Sequence, residues 1–150
     1  MLKLSRLTDY AVAALVRLSA AEGVETSPGI AAAIGVPEPT VAKVLKLLAG
    51  SALVSSTRGA RGGYRLARPL SEIAVSEIIV AIDGPIALTS CVDGTPGSCD
   101  SQPLCPVAGR WGPVNDAIRS ALDNISLADM AVAALPQGLR LTEAEMNHNV

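Results

Sequence analysis

The stretch Ser27-Pro28-Gly29-Ile30-Ala31-Ala32-Ala33-Ile34-Gly35-Val36-Pro37-Glu38-Pro39-Thr40-Val41-Ala42-Lys43-Val44-Leu45-Lys46-Leu47-Leu48-Ala49-Gly50 decides how this chain folds. Ser27 is an N-cap residue type, and Pro28 follows at the first helical position, where a proline's missing N–H is no loss and its φ is already helical. The apolar run Ile30 to Ile34 makes a short helix that Gly35-Val36-Pro37 must end. A second helix opens at Glu38-Pro39-Thr40. Its Val41, Val44, Leu45 and Leu48 recur at the spacing of one buried face, and Gly50 closes it. Two helices joined by a tight, glycine-containing turn read as a helix-turn-helix.

Upstream, Ala11, Val12, Leu15 and Leu18 recur at helical spacing from Thr8 to about Ala21, with Thr8 placed to cap the start. Downstream, the short strand-like runs Leu53-Val54-Ser55-Ser56 and Tyr64-Arg65-Leu66-Ala67 flank Thr57-Arg58-Gly59-Ala60-Arg61-Gly62-Gly63, which predicts a hairpin. Three helices followed by a hairpin make a winged helix-turn-helix. The fold class expected is therefore mainly α with a small β-hairpin wing.

The chain has 150 residues, of which 49% are hydrophobic and 2% aromatic, with no Phe, so the core must be built from Ala, Val, Leu and Ile. That composition favours helices. Charged residues at 17% argue against a disordered chain, and no apolar run reaches the length of a membrane span. The N-terminal Met1-Leu2-Lys3-Leu4-Ser5-Arg6 lacks a signal-peptide pattern, which leads us to expect a cytoplasmic protein whose cysteines stay reduced. The net charge of −2 hides an asymmetry: residues 1–68 carry nine Lys or Arg against four acids, a local +5, and residues 69–150 carry three against ten, a local −7. Such a split suggests a polyanion-binding end joined to a part with another task, although uneven surface charge alone would give the same tally.

Pro69 ends the first unit. A fourth helix is predicted from about Val75 to Ile82, stopped by Asp83-Gly84-Pro85. A loop rich in Gly, Pro and Ser then runs from Cys91 to Cys105. A long helix from about Val107 to Asn124 places Trp111, Val114, Ile118, Ala121, Leu122 and Ile125 on one face, and so small a chain has little core left to cover that stripe. A partner helix is expected there. Ser126-Leu127-Ala128-Asp129 is an S-x-x-D cap opening a last short helix to about Leu135, and the remaining tail is expected to fray. The division expected is 1–68 for DNA binding, 69–135 for the cysteine loop and dimerisation helix, and 136–150 for a flexible tail.

In a helix-turn-helix the second helix enters the major groove with its N-terminal residues on base edges, which points to Pro39, Thr40 and Lys43, with Lys46 nearer the phosphates. Glu38 could accept from a cytosine amine. In the wing, Arg58 and Arg61 sit among glycines that let the backbone approach a phosphate backbone or a minor groove, and Arg65 lies just behind the tip. A solubilising hairpin, or a winged helix used for protein contacts, is the competing reading.

The three cysteines are spaced C-x7-C-x5-C, unlike the paired cysteines of zinc ribbons or the close runs of bacterial ferredoxins. Three soft thiolates in one polar loop select zinc, Cu(I) or an iron-sulfur cluster, with a fourth ligand from elsewhere or from solvent. Chance clustering is the bland alternative. The single histidine, His148, stands in the expected tail.

Taken together, Leu4-Ser5-Arg6-Leu7-Thr8-Asp9-Tyr10-Ala11-Val12, the helix from Glu38 to Leu45, the wing from Arg58 to Pro69 and the three-cysteine loop resemble the IscR, NsrR and RirA family of bacterial iron-sulfur regulators, over Met1 to about Ala134. Within it, the chain looks most like regulators of the SUF iron-sulfur assembly operon. The resemblance implies a homodimeric winged-helix repressor, bound to double-stranded DNA at a palindromic operator, whose cluster is held by Cys91, Cys99 and Cys105 and reports iron, oxygen or nitric oxide. The IscR pattern has a histidine ligand to a [2Fe-2S] cluster three residues after the last cysteine, where this chain has Ala108. The NsrR pattern takes an oxygen ligand to a [4Fe-4S] cluster from an aspartate at the start of the partner's first helix, and Asp9 matches that place. A [4Fe-4S] cluster is thereby favoured, with Asp9 of the partner subunit, a small exogenous ligand or water as fourth ligand. An acid is also favoured near a helix N-terminus by the macrodipole alone, which is a purely structural account of Asp9.

Two other classes stand beside the cluster-sensing repressor. One is a metal- or redox-dependent enzyme built on the cysteine loop, for which Asp93 and Asp100 are available but no histidine or acid pair has hydrolytic spacing. The other is a winged-helix interaction module with a structural zinc.

Overall fold

The first helix, α1, spans Arg6–Ser19 and turns Ala11, Ala14, Leu15 and Leu18 inward. Its cap is Ser5, not Thr8: the Ser5 hydroxyl accepts the Thr8 N–H at 3.2 Å, and Thr8 is itself buried in the first turn. Helix α2 covers Ser27–Ile34 and is capped one residue earlier than its Ser-Pro pair suggests, by the Thr26 hydroxyl accepting from the Gly29 N–H. Gly35 ends it at φ 69°, a left-handed conformation that glycine adopts without a Cβ penalty. Helix α3 covers Glu38–Gly50 with Val41, Val44, Leu45 and Leu48 buried. Gly50 is its last helical residue, and the left-handed turn after it falls on Ala52 at φ 57°. In the computed structural model residues 3–92 and 99–131 are described.

Strands β1 (Val54–Thr57) and β2 (Gly63–Leu66) pair antiparallel with Val54 opposite Leu66 and Thr57 opposite Gly63. A third segment joins them: the Glu25 N–H donates to Tyr64 O at 2.8 Å and the Tyr64 N–H to Glu25 O at 2.7 Å. This bridge locks the wing to the loop between α1 and α2. It also explains Gly63, where a Cβ would lie 2.5 Å from the Glu25 carbonyl oxygen.

Helix α4 covers Val75–Asp83 and ends at Gly84. It packs on α1 and α3, so that Ile73, Ile78 and, from the far end of the chain, Leu127 enter the same core as Leu15, Ile30, Leu45 and Leu48. Helix α5 begins at Trp111 and ends at Asp123, four residues later at its start than the sequence suggests. Gly109, at φ 73°, stands just before it. It leans on α4 and on the short turn Ser90–Val92, with most of its surface exposed. The last helix, α6 (Leu127–Ala131), has the expected cap, with the Ser126 hydroxyl accepting from the Asp129 N–H and the Asp129 carboxylate accepting from the Ser126 N–H. Its predicted continuation to Leu135, and the tail, lie outside the described residues. Among the described residues no helix is long and apolar enough to cross a membrane.

Candidate functional site

Helix α3 and the wing carry the basic residues named from the sequence at exposed positions. Burying Val41, Val44, Leu45 and Leu48 leaves Pro39, Lys43 and Lys46 exposed and Thr40 half-buried. In the hairpin, Arg58, Arg61 and Arg65 are exposed. Among the described residues, none of these five cations has an ion pair or a side-chain hydrogen bond. The remaining basic residues divide differently. Arg17 grips Glu25 through Nη2–Oε1 at 2.6 Å and Nε–Oε2 at 3.1 Å, and Arg68 pairs with Glu77 at 2.6 Å. Two arginines of the basic half are thus spent on holding the wing and α4 in place, while the helix and wing cations stay free for a polyanion.

The geometry between α2 and α3 adds a feature that composition conceals. The Ser27 hydroxyl donates to Glu38 Oε1 at 3.1 Å, tying the start of one helix to the start of the next and occupying one oxygen of the carboxylate considered for base contact. The signal for it was the Ser-Pro and Glu-Pro pairs opening two successive helices.

The three cysteines come together although Cys91 and Cys105 are separated by a long loop. Cys91 lies in the turn Ser90–Val92, and Cys105 follows the turn Gln102–Leu104. All three are free and half-buried, and they line one pocket of about 250 Å³ with Thr89, Gln102, Ala108 and Trp111. Thr89 Oγ1 lies 3.0 Å from Cys91 Sγ. Ala108, the position that departs from the IscR pattern, is among the residues that line this pocket. Among the described residues, no three His, Cys, Asp or Glu side chains converge on a point suited to a single metal ion.

Asp9 is exposed in the first turn of α1 and does not line the cysteine pocket of its own chain. Asp100 is also exposed and outside the pocket lining, and Asp93 and His148 lie outside the described residues.

Much of the stripe expected on α5 is exposed. The helix's contacts with the rest of the chain run through Asn115, Ile118 and Leu122, while Trp111 and Val114 are 40% and 45% exposed and Ala121 faces out. Trp111 belongs to the cysteine pocket as well as to the stripe. Asn115, which apolar periodicity passes over, is the buried residue of the helix: Oδ1 accepts the Leu88 N–H and Nδ2 donates to Ile86 O, each at 2.9 Å. Ile118 and Leu122 line an apolar groove of about 680 Å³ with Leu4, Ile79, Ile86 and Leu88.

The Rrf2 family model, described as an iron-dependent transcriptional regulator, matches residues 4–133. Rv1287 of Mycobacterium tuberculosis, named as an HTH-type transcriptional regulator, is 37% identical over 138 residues, which is 91% of this chain and 85% of that protein. The HTH-type transcriptional regulator IscR of Photorhabdus laumondii is 35% identical, covering 83% of this chain and 78% of its own length. Among solved structures, CymR, the global cysteine regulator of B. subtilis, aligns with a TM-score of 0.65 at 27% identity, over 87% of this chain and 97% of that one. IscR of T. potens aligns with a TM-score of 0.62 at 28% identity, over 97% and 96%. These relatives are transcriptional regulators rather than enzymes, and they share the mainly helical fold with a two-stranded wing.

Proposed function

The chain belongs to the Rrf2 family of DNA-binding transcriptional regulators, and we propose that it is a homodimeric repressor that reads a palindromic operator and senses iron or redox status through an iron-sulfur cluster held by Cys91, Cys99 and Cys105. The genes it controls, on the resemblance to SUF regulators, are those of iron-sulfur cluster assembly. The observation that carries this reading is the single pocket lined by all three thiols.

The donor set suits such a cluster. The thiols form no disulfide and lie at a pocket wall with Trp111 and Val107. A cluster there supplies a centre that oxygen, nitric oxide or iron scarcity can dismantle. Ala108 cannot ligate, and on the resemblance to the NsrR pattern the fourth ligand to a [4Fe-4S] cluster would be Asp9 of the partner subunit. A small exogenous ligand or water is the alternative. The exposed Val114 and the groove beside Ile118 and Leu122 offer the apolar surface for a second copy. On the DNA side, Pro39, Thr40 and Lys43 face base edges in the major groove, Lys46 meets phosphate, and Arg58, Arg61 and Arg65 follow the adjacent backbone or minor groove. Residues 1–68 read DNA, and residues 69–135 sense and dimerise.

The likeness to a global cysteine regulator gives a second reading, in which the same winged helix answers a signal other than cluster loss. Anaerobic purification separates the two. The cluster reading expects brown protein with visible absorbance, and an operator gel shift that differs between the loaded and cluster-free forms. Colourless protein whose DNA binding is indifferent to iron and sulfide would overturn it.

A further inference from the structure

We propose that Asn115 is the positioning residue through which the state of the cysteine pocket sets the placement of α5. The inference rests on the reading of that pocket as the sensing site and extends it to a residue outside the ligand set.

The argument begins with what a buried amide requires. Asn115 is 7% exposed, and a carboxamide so placed must satisfy both its carbonyl and its amino group or lose free energy. It does so on the backbone of one short segment, accepting from Leu88 N–H and donating to Ile86 O. Such a bridge is register-specific. It closes only when the carbonyl of residue 86 and the N–H of residue 88 face the same turn of α5, a demand that an apolar side chain of similar size would not make.

That segment leads directly into the pocket. Leu88 is followed by Thr89, whose hydroxyl contacts Cys91 Sγ at 3.0 Å. A second route reaches the same place from the other side, because Trp111, one helical turn before Asn115, lines the pocket with Cys99 and Cys105. Asn115 is therefore where the irregular segment that leads to Cys91 and the helix that follows Cys105 are pinned to one another. Thiols drawn to a common centre hold residues 86–91 and the start of α5 in one register. Thiols released from it free both ends, and the amide must then either drop a bond or carry α5 with it. The far end of α5 is anchored, with Ile125 O accepting the Val75 N–H at 2.9 Å and Leu127 buried in the core, so the change in placement is a swing of the Trp111 end about that anchor. Two alternative arrangements of one packed element are what a switch needs.

The test compares wild type with Asn115→Leu, which keeps the bulk and removes both hydrogen bonds. Both full-length proteins are loaded anaerobically with iron and sulfide, and each is also measured cluster-free. Wild type is expected to show a difference in operator affinity of about tenfold or more between the two forms. Its amide exchange across residues 111–123 should be faster without the cluster. Asn115→Leu should show the same absorbance per dimer and the same sedimentation, yet its two forms should bind DNA alike and exchange alike across α5. A leucine variant that retains the wild-type ratio and the exchange difference overturns the proposal. Wild type that loads no cluster, or whose α5 exchange ignores loading, overturns the sensing reading and the role of Asn115 together, and is recognised by the wild-type data alone. If the leucine variant does not fold, Asn115→Asp, which keeps the acceptor for Leu88 and loses the donor to Ile86, is held to the same two outcomes.

Discussion

The Thr8 hydroxyl donates a 2.8 Å hydrogen bond to Asp83 Oδ2, joining the first turn of α1 to the last residue of α4. The Ser5 N–H reaches the same oxygen at 3.3 Å. Burial pushes the Asp83 carboxyl upward, but the donors from Ser5 and Thr8 outweigh it and hold the pKa below the ordinary aspartate value. A carboxyl with a depressed folded-state pKa contributes stability above its unfolded pKa and loses it as pH falls through the folded one. Acidification below the ordinary aspartate range should therefore destabilise wild type more than Asp83→Asn, with Glu77, also held low, contributing equally to both. Near neutral pH, Thr8→Val should cost about 1 kcal/mol, the net worth of one hydrogen bond. Equal acid sensitivity of wild type and Asp83→Asn in urea melts would show that the link carries no charge-dependent stability.

The wing should depend on Gly63. A Cβ there meets the Glu25 carbonyl oxygen at 2.5 Å, so Gly63→Ala must push the hairpin off the α1–α2 loop. We expect operator affinity to fall on every sequence tested while the far-ultraviolet circular dichroism of the helices persists. Unchanged affinity would detach the wing from DNA binding.

Charge substitutions should separate positioning from reading. Lys46→Ala and Arg61→Ala should weaken binding to all sequences and reduce the dependence of log affinity on log salt by about one unit each. Thr40→Ala and Lys43→Ala should instead relax sequence preference. Removal of Arg58 and Arg61 together without any loss of operator affinity would refute the wing assignment.

The dimer is tested at Ile118, half-buried in the groove beside Leu122. Ile118→Glu places a charge in an apolar surface and should yield a monomer by sedimentation at micromolar concentration. A two-fold dimer of the wild type should set the recognition helices about 34 Å apart, or a multiple of that, which a palindromic operator would mirror.

The ligands call for mixed dimers. Any single Cys91→Ala, Cys99→Ala or Cys105→Ala should prevent stable cluster assembly, whereas Asp9→Ala should still assemble one and lose it faster to oxygen. Pairing an Asp9→Ala subunit with a triple-cysteine mutant sets one intact Asp9 opposite one intact cysteine set and should restore one site of normal lifetime. A mixed dimer no longer-lived than the Asp9→Ala homodimer would return Asp9 to the role of an acid at a helix start.

Local chemistry accounts for how much of this molecule could be read from its residues. Helix periodicity, the Ser-x-x-Asp cap at Ser126 and the glycine at Gly35 depend on neighbours a few positions apart, so α1 to α4, the wing and α6 were all foreseeable to within a few residues. Caps were less so: Ser5 and Thr26 hold the places expected of Thr8 and Ser27, because neighbouring hydroxyls compete for the same N–H groups and only the entry angle of the chain chooses between them.

Long-range geometry decided the rest. The cysteine spacing marked three thiols as a set, but that they share a pocket with Ala108 and Trp111 follows from how two turns fold back on α5. Asp83 meets Thr8 only because α4 packs against α1. Asn115 was invisible to a reading of apolar periodicity, since a polar side chain on an inward face is an exception whose reason lies in the backbone it satisfies, and that backbone is 27 and 29 residues away. A sequence specifies such a pair only through the whole fold, because the free energy of a buried hydrogen bond depends on where both partners are brought rather than on what either one is.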